Sequence, residues 1–269
     1  MSLPYLRLRQ ICLVAADLSE ASRMIEGVLR VPVCYQDPGV GKYGLHNALF
    51  AMGGTFLEVV SPLPGVKDTA AERYLSRRGG DGGYMFIVDC DNLEARRTHF
   101  EAKGLRMVED LKAGDEVVGS EAIHLHPRDT GGCLLSIDRH TGGADMMGGY
   151  FWAGAHWKLK AAAPSERMLL GADMQSADPE GLARRWAGIL ERPINRISDG
   201  VWEIALDHGF ARFTPLMDER GEGLSCVHLG CADPEILLGA ARAAGLFIHE
   251  DGFDLAGVRF KLVRLAVAA

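Results

Sequence analysis

The sequence predicts an α+β fold built from four copies of one βαβββ module, and three observations carry that reading. The first is internal repetition. "QICLVAADLSEASRMIEGVL" (10–29) joins an apolar, strand-like run to an acidic turn and an amphipathic stretch, and the pattern returns at 84–107, 168–194 and 225–248. The second is the residue at each junction. Asp17, Asp91, Asp178 and Asp233 end the apolar runs, where a carboxylate can accept hydrogen bonds from the free N–H groups of a new helix. The third is the strand-and-turn sequence after each helix, which reads as hairpins.

In the first module the residues Leu18, Ala21, Met24, Ile25, Val28 and Leu29 keep helical spacing after Asp17, so one face of that helix is expected to be buried. The stretch "GLHNALFAMGGTFLEVVSPL" (44–63) then reads as a hairpin with glycine near the turn and proline at the exit. In the second module Glu94 follows Asp91 at capping-box spacing, as Glu20 follows Asp17. "IHLHPRDTGGCLLSIDR" (123–139) supplies its last strands. In the third and fourth modules Pro179 and Pro234 follow the capping aspartates, and proline suits the first helical position. "VWEIALDHGFARFTPL" (201–216) and "IHEDGFDLAGVRFKLVRL" (248–265) complete these modules. "GGDGG" (79–83) lacks a downstream Lys-Ser/Thr and reads as a turn between modules rather than a phosphate loop.

One module is too small to bury its own apolar face, so the modules are expected to pair. A Gly-, Met- and aromatic-rich stretch at 140–165 breaks the periodicity. The expected organisation is a first domain over 1–139, a linker over 140–165 and a second domain over 166–269.

Composition narrows the function. The 269 residues carry a net charge of −7, with 48% hydrophobic and 24% charged residues, which argues against a nucleic-acid groove. The N-terminus shows no signal-peptide core, and no apolar run reaches the length of a membrane span. The six cysteines are scattered without a C-x-x-C pair, as small buried hydrophobes would be rather than a zinc or disulfide framework. A cytoplasmic protein with a small-molecule partner is expected, and a homo-oligomer is left open.

The motifs "QICLVAADLSEA", "GGTFLEVVSP", "VDCDNLEA" and "LHPRDTGGCLLSID" together resemble the vicinal oxygen chelate superfamily, which includes glyoxalase I, methylmalonyl-CoA epimerase, extradiol dioxygenases and bleomycin-resistance proteins. The resemblance covers nearly all of 7–139 well and 166–265 more weakly. It implies two glyoxalase/bleomycin-resistance-type domains with cupped mixed β-sheets, each cup holding a divalent metal and the substrate. Carried over by position, the family's metal ligands fall on Gln10, Glu58, Met85 and Ser136, and in the second domain near Gly171, Phe213, Cys226 and Lys261. A thioether and a neutral hydroxyl are poor ligands for a hard cation, so the metal site reads as degraded; the favoured expectation is no cofactor, with a divalent metal left open.

Glu58 lies between Leu57 and Val59 on a strand expected to be buried, where a carboxylate is costly unless paired. The resemblance implies a general base there. Gln10, His46 and His126 are the expected substrate contacts, with Asn47 pointing away from His46 on a regular strand. Two classes of function stand open: a glyoxalase-like lyase or isomerase that takes a proton next to a carbonyl, and a non-catalytic sequestering protein of bleomycin-resistance type. An extradiol dioxygenase is less favoured, since the second domain lacks its His-His-Glu set.

Overall fold

The computed structural model describes residues 5–115 and 117–266; the outermost residues of both expected domains, 1–4 and 267–269, lie outside it, as does residue 116. Each predicted module is present. The first runs through β1 (Leu6–Val14), α1 (Leu18–Leu29), β2 (Val33–Tyr35), β3 (Leu45–Met52) and β4 (Thr55–Pro62), and α2 (Ala70–Arg78) leads out of it. The second comprises β5 (Gly82–Cys90), α3 (Leu93–Ala102), β6 (Met107–Gly114), β7 (Gly119–Leu125), the single turn α4 (Pro127–Thr130) and β8 (Leu134–His140). The third holds β9 (Arg167–Ser176), α5 (Pro179–Leu190), β10 (Asn195–Ser198), β11 (Val201–Ala205) and β12 (Phe210–Pro215). The fourth holds β13 (Gly223–Cys231), α6 (Pro234–Ala243), β14 (Ile248–His249), β15 (Gly252–Leu255) and β16 (Val258–Arg264).

The helix starts follow the capping logic with one exception. Asp17, Asp178 and Asp233 accept from the backbone N–H three residues on, at 3.0, 2.9 and 3.4 Å. In the second module Asn92, not Asp91, is the cap, accepting from Ala95 N at 3.0 Å. Asp91 instead accepts the Tyr5 N–H at 3.3 Å, which ties the start of the chain to the end of β5. The glutamates at capping-box spacing also turn elsewhere: Glu20 bonds Arg23 and Glu94 bonds Arg97. A reciprocal box forms at Thr69 and Glu72, opening α2.

The chain forms two compact units, and each takes modules from both halves of the sequence. One consists of 1–10, 84–152 and 170–224, hence the second and third modules. Here β5 pairs parallel with β8, and β8–β7–β6 continue antiparallel. Likewise β9 pairs parallel with β12, and β12–β11–β10 run antiparallel. Trp186 of α5 joins the two modules: its ring meets Phe86 and Phe213 edge-on at 5.8 and 5.7 Å, and its Nε1 donates to the Thr130 carbonyl.

The other unit consists of 11–83, 153–169 and 225–269, the first and fourth modules. Strands β4, β3 and β2 are antiparallel neighbours, turned at Gly53-Gly54. Strand β13 runs parallel to β16, followed antiparallel by β15 and β14. Helix α1 lies against α6. Of its predicted inner residues, Leu18, Ala21, Ile25, Val28 and Leu29 are buried and Met24 is half-buried. None of the six cysteines is in a disulfide, and five are buried; burial pushes the Cys34 and Cys90 thiols up, to about 11 and about 12, so these two are poorly reactive.

Candidate active site

Glu58 is one of the buried acids of the fold. It sits on β4 with Leu57 and Val59 fully buried beside it, and is itself 8% exposed. Strand alternation puts Phe56, Glu58 and Val60 on one face. The hairpin register sets Leu49 opposite Glu58 and Asn47 opposite Val60, so Asn47 shares that face. Its Nδ2 donates to Glu58 Oε1 at 2.6 Å, while its Oδ1 accepts the Asp37 N–H at 2.7 Å. The second bond assigns the amide orientation, because only Oδ1 can accept from a backbone N–H. Trp157 closes one side, meeting Phe56 edge-on at 4.9 Å.

His46 stands opposite Ser61, on the far side of the hairpin from Glu58. Its neighbour Asn47, not expected to contact substrate, is the residue that reaches the carboxylate. One signal was available: Asn47 and Glu58 fall on the same face once the hairpin turns at Gly53-Gly54. His126 lies just past the end of β7, where its Nδ1 accepts the Arg128 N–H at 3.1 Å and so caps the single turn α4.

In the other unit, the remaining family positions belong to a buried polar cluster. The Gln10 carbonyl oxygen accepts the Tyr150 hydroxyl at 2.7 Å. Tyr150 lies against the His140 ring, centroids 4.5 Å apart. His140 Nδ1 accepts the Phe151 N–H at 3.3 Å, which assigns the proton of the neutral ring to Nε2, 3.8 Å from Asp138 Oδ2. Burial, with Arg9 and Arg7 adding to it, pushes His140 down to about 3. Asp138 accepts from Ser136 Oγ at 2.5 Å and from Trp152 Nε1 at 2.8 Å. Met85 is buried on β5, on the face of Ile87, which stands opposite Ser136.

Nearby, Arg7 forms a bidentate pair with Asp89 and also donates to the Gly143 and Ala144 carbonyls. The sequence singles out none of Tyr150, Trp152, Asp138 or His140 as a partner of Gln10 or Ser136. The aromatics lie outside the repeat, so module periodicity carries no signal for them.

The positions named in the second half diverge further. Gly171 leaves room for the Phe210 ring, whose atoms a Cβ there would meet at 2.5–2.7 Å. Phe213 is buried against Trp186, and its neighbour Arg212 is the residue opposite Asp173 on the Gly171 face. Arg212 pairs with Glu203 at 2.7 Å. In the other unit, Cys226 stands opposite Arg259 and His228 opposite Lys261, and both cations pair with Asp251.

The family positions of the first half offer a hard divalent ion one carboxylate and one amide oxygen, fewer than the four ligands of the family site. At the first-half positions the Gln10 carbonyl oxygen is engaged by a phenol, Ser136 by a carboxylate and Glu58 Oε1 by an amide. Met85 adds only a soft thioether. At the second-half positions, Lys261 is itself a cation, and Gly171 and Phe213 bring no side-chain ligand atom.

A βαβββ module repeated four times, with parallel first and last strands wherever the register is described, defines the class: the chain has the fold of the vicinal oxygen chelate superfamily. Known proteins agree with this. The structure is similar to a triple mutant of 4-hydroxymandelate synthase from Streptomyces coelicolor, with a TM-score of 0.68 over 99% of this chain and 94% of that one at 12% identity. It is also similar to the Mn(II)-bound glyoxalase from Novosphingobium aromaticivorans, with a TM-score of 0.64 over 97% and 83% of the two chains at 13% identity. In sequence, 134 residues are 25% identical to human mitochondrial methylmalonyl-CoA epimerase, covering 49% of this chain and 73% of the relative. No protein-family model matches the sequence. These named relatives are enzymes. Among the described residues no helix is long and apolar enough to cross a membrane.

Proposed function

We propose that this protein is an isomerase or lyase of the glyoxalase–epimerase kind, in which Glu58 takes a proton from the carbon next to a carbonyl. The observation that carries the reading is the Glu58–Asn47 pair: a nearly buried carboxylate on an otherwise apolar strand, aimed by an amide whose other end is fixed to the backbone. Removing a Cα proton moves that bond's electron pair into the carbonyl, giving an enolate and a protonated Glu58. Returned to the same face, the proton restores the substrate; delivered instead to the former carbonyl carbon of an α-hydroxy carbonyl compound, whose hydroxyl proton moves to the enolate oxygen, it regenerates the carboxylate and yields the isomer. Asn47 is a positioning residue, since it touches Glu58 rather than the reacting carbon. The similarity to methylmalonyl-CoA epimerase supports an acyl thioester or related α-acidic carbonyl compound as substrate. The grouping of the modules into domains at 1–139 and 166–269 is kept as part of this proposal, in the sense of covalent order.

A second reading, ligand sequestration without turnover, is favoured by one observation. The Gln10 carbonyl oxygen and the Ser136 hydroxyl are engaged from within the protein, as befits positions that have left catalysis.

The deciding measurement is proton exchange at the α-carbon in D2O, followed by NMR, with methylmalonyl-CoA and with the hemithioacetal of methylglyoxal as probes. Exchange by the wild-type protein that falls by about 100-fold or more in Glu58→Gln is the expected result, matching the usual scale of general-base catalysis. Saturable binding of either probe with no exchange would put sequestration in its place.

A further inference from the structure

We infer that Tyr150 is an internal ligand: it fills a phenol-binding site in the unit that carries Gln10, and a free phenol can take its place. The site is built from three groups on the strands. Gln10, 3% exposed, receives the hydroxyl at 2.7 Å. The His140 ring, whose side chain is fully buried, packs against the phenol ring with centroids 4.5 Å apart. The Arg9 guanidinium lies over the same ring at 5.1 Å from its centroid, within range of a cation–π attraction. An acceptor for the hydroxyl, a second ring tilted at 46° against the phenol and a cation over it recognise a phenol rather than a plain aromatic group.

The segment that delivers Tyr150 is held by its backbone more than by its side chains. Residues 141–150 read "TGGADMMGGY", with a glycine pair near each end. Between 141 and 149 only Gly143 is buried. Arg7 donates to the Gly143 and Ala144 carbonyls and Arg9 to that of Met146, so the loop is docked by its backbone. Opening it breaks these charge-assisted bonds, whose groups pass to water, and few side-chain contacts. The arginines that anchor it belong to β1 and stay in place when it leaves. His140 Nε2 has no hydrogen-bond partner with Tyr150 docked, so the pocket retains a donor for a substituted phenol.

The inference does not use Glu58, and its test reads binding and loop opening rather than turnover. Thermal unfolding of Tyr150→Ala is measured with phenol and with benzene. Phenol at about a hundredfold excess over its Kd is expected to raise Tm by about 5 °C or more, and benzene by clearly less, because only phenol restores the bond to Gln10. In the wild-type protein, phenol is expected to speed amide hydrogen exchange at 143–149 as it displaces Tyr150. Tyr150→Phe, which keeps the ring, is expected to speed the same exchange by about fivefold through loss of one hydrogen bond, and it keeps the question answerable if the alanine variant does not fold. Equal shifts from phenol and benzene would overturn the site. Exchange at 143–149 that ignores both phenol and Tyr150→Phe would overturn the displacement.

Discussion

Glu58 and Gln10 are sealed from solvent to nearly the same degree, at 8% and 3% exposure, but their partners come from very different places in the chain. Asn47 lies 11 residues from Glu58, across one hairpin, and the pair is set once that hairpin is in register. Tyr150 lies 140 residues from Gln10, on a glycine-rich segment outside the repeat. The first arrangement is local and permanent, which suits a group that must be aimed. The second depends on a distant loop being docked, which suits a group that has been covered.

The largest test of this contrast is kinetic. Glu58→Gln removes the base and should lower α-proton exchange by about 100-fold or more, while Gln10→Leu should cost under about tenfold. Measuring kcat/KM for both variants checks this, and comparable losses would mean that Gln10 orients the substrate after all. Asn47 gives the next effect. Asn47→Asp replaces an amide donor by a second acid, and two adjacent carboxylates resist being ionised together. The acidic limb of kcat/KM against pH should move upward, with a loss of about tenfold below that limb. An unmoved limb would leave Asn47 as packing only.

On the covered side, the prediction concerns stability. His140 is held neutral in the fold, down to about 3 by burial first and then by Arg9 and Arg7, against an ordinary value of about 6.5. Its folded value is the lower one, so the unfolded chain takes up the proton first. The stability it contributes is complete above about pH 6.5 and is lost as pH falls from there towards 3, by at most about 1.4 kcal/mol per pH unit. His140→Asn, which keeps an acceptor for the Phe151 N–H, should flatten the decline of urea-unfolding free energy between pH 6.5 and 4. An unchanged slope would place the acid-sensitive group elsewhere.

The fold was legible because its signals are local and repeated. Aspartates at strand ends, proline after two of them and the 3.6-residue spacing of α1 all act within a few residues, and all appear in the structure. Asp91 misled only because Asn92, one place on, is an equally good cap, leaving Asp91 to hold Tyr5. The site was legible in part. Glu58 stood out as an acid among apolar neighbours, whereas its partner was hidden because a strand's two faces cannot be told apart without the register. The Tyr150–Gln10 and Trp152–Asp138 contacts are long-range products of the irregular segment at 140–165. A tryptophan in such a segment announces burial but not its partner.

That segment supplies the smallest and cleanest comparison, since it places one tryptophan on each side. Trp152 donates its indole N–H to Asp138 at 2.8 Å, whereas Trp157 packs its ring edge-on against Phe56. Phenylalanine at either position keeps an aromatic ring and loses part of its area. Only Trp152→Phe also strips a hydrogen bond from a carboxylate that is 1% exposed, and a buried acceptor that loses its donor costs about 1–3 kcal/mol. Trp152→Phe should therefore destabilise the protein by about 1 kcal/mol more than Trp157→Phe in urea unfolding. It should also speed amide exchange at 149–152, which the Trp157 variant should leave alone. If the two variants lose the same stability, the Asp138 network is not what holds the segment down, and docking rests on the Arg7 and Arg9 contacts to its backbone.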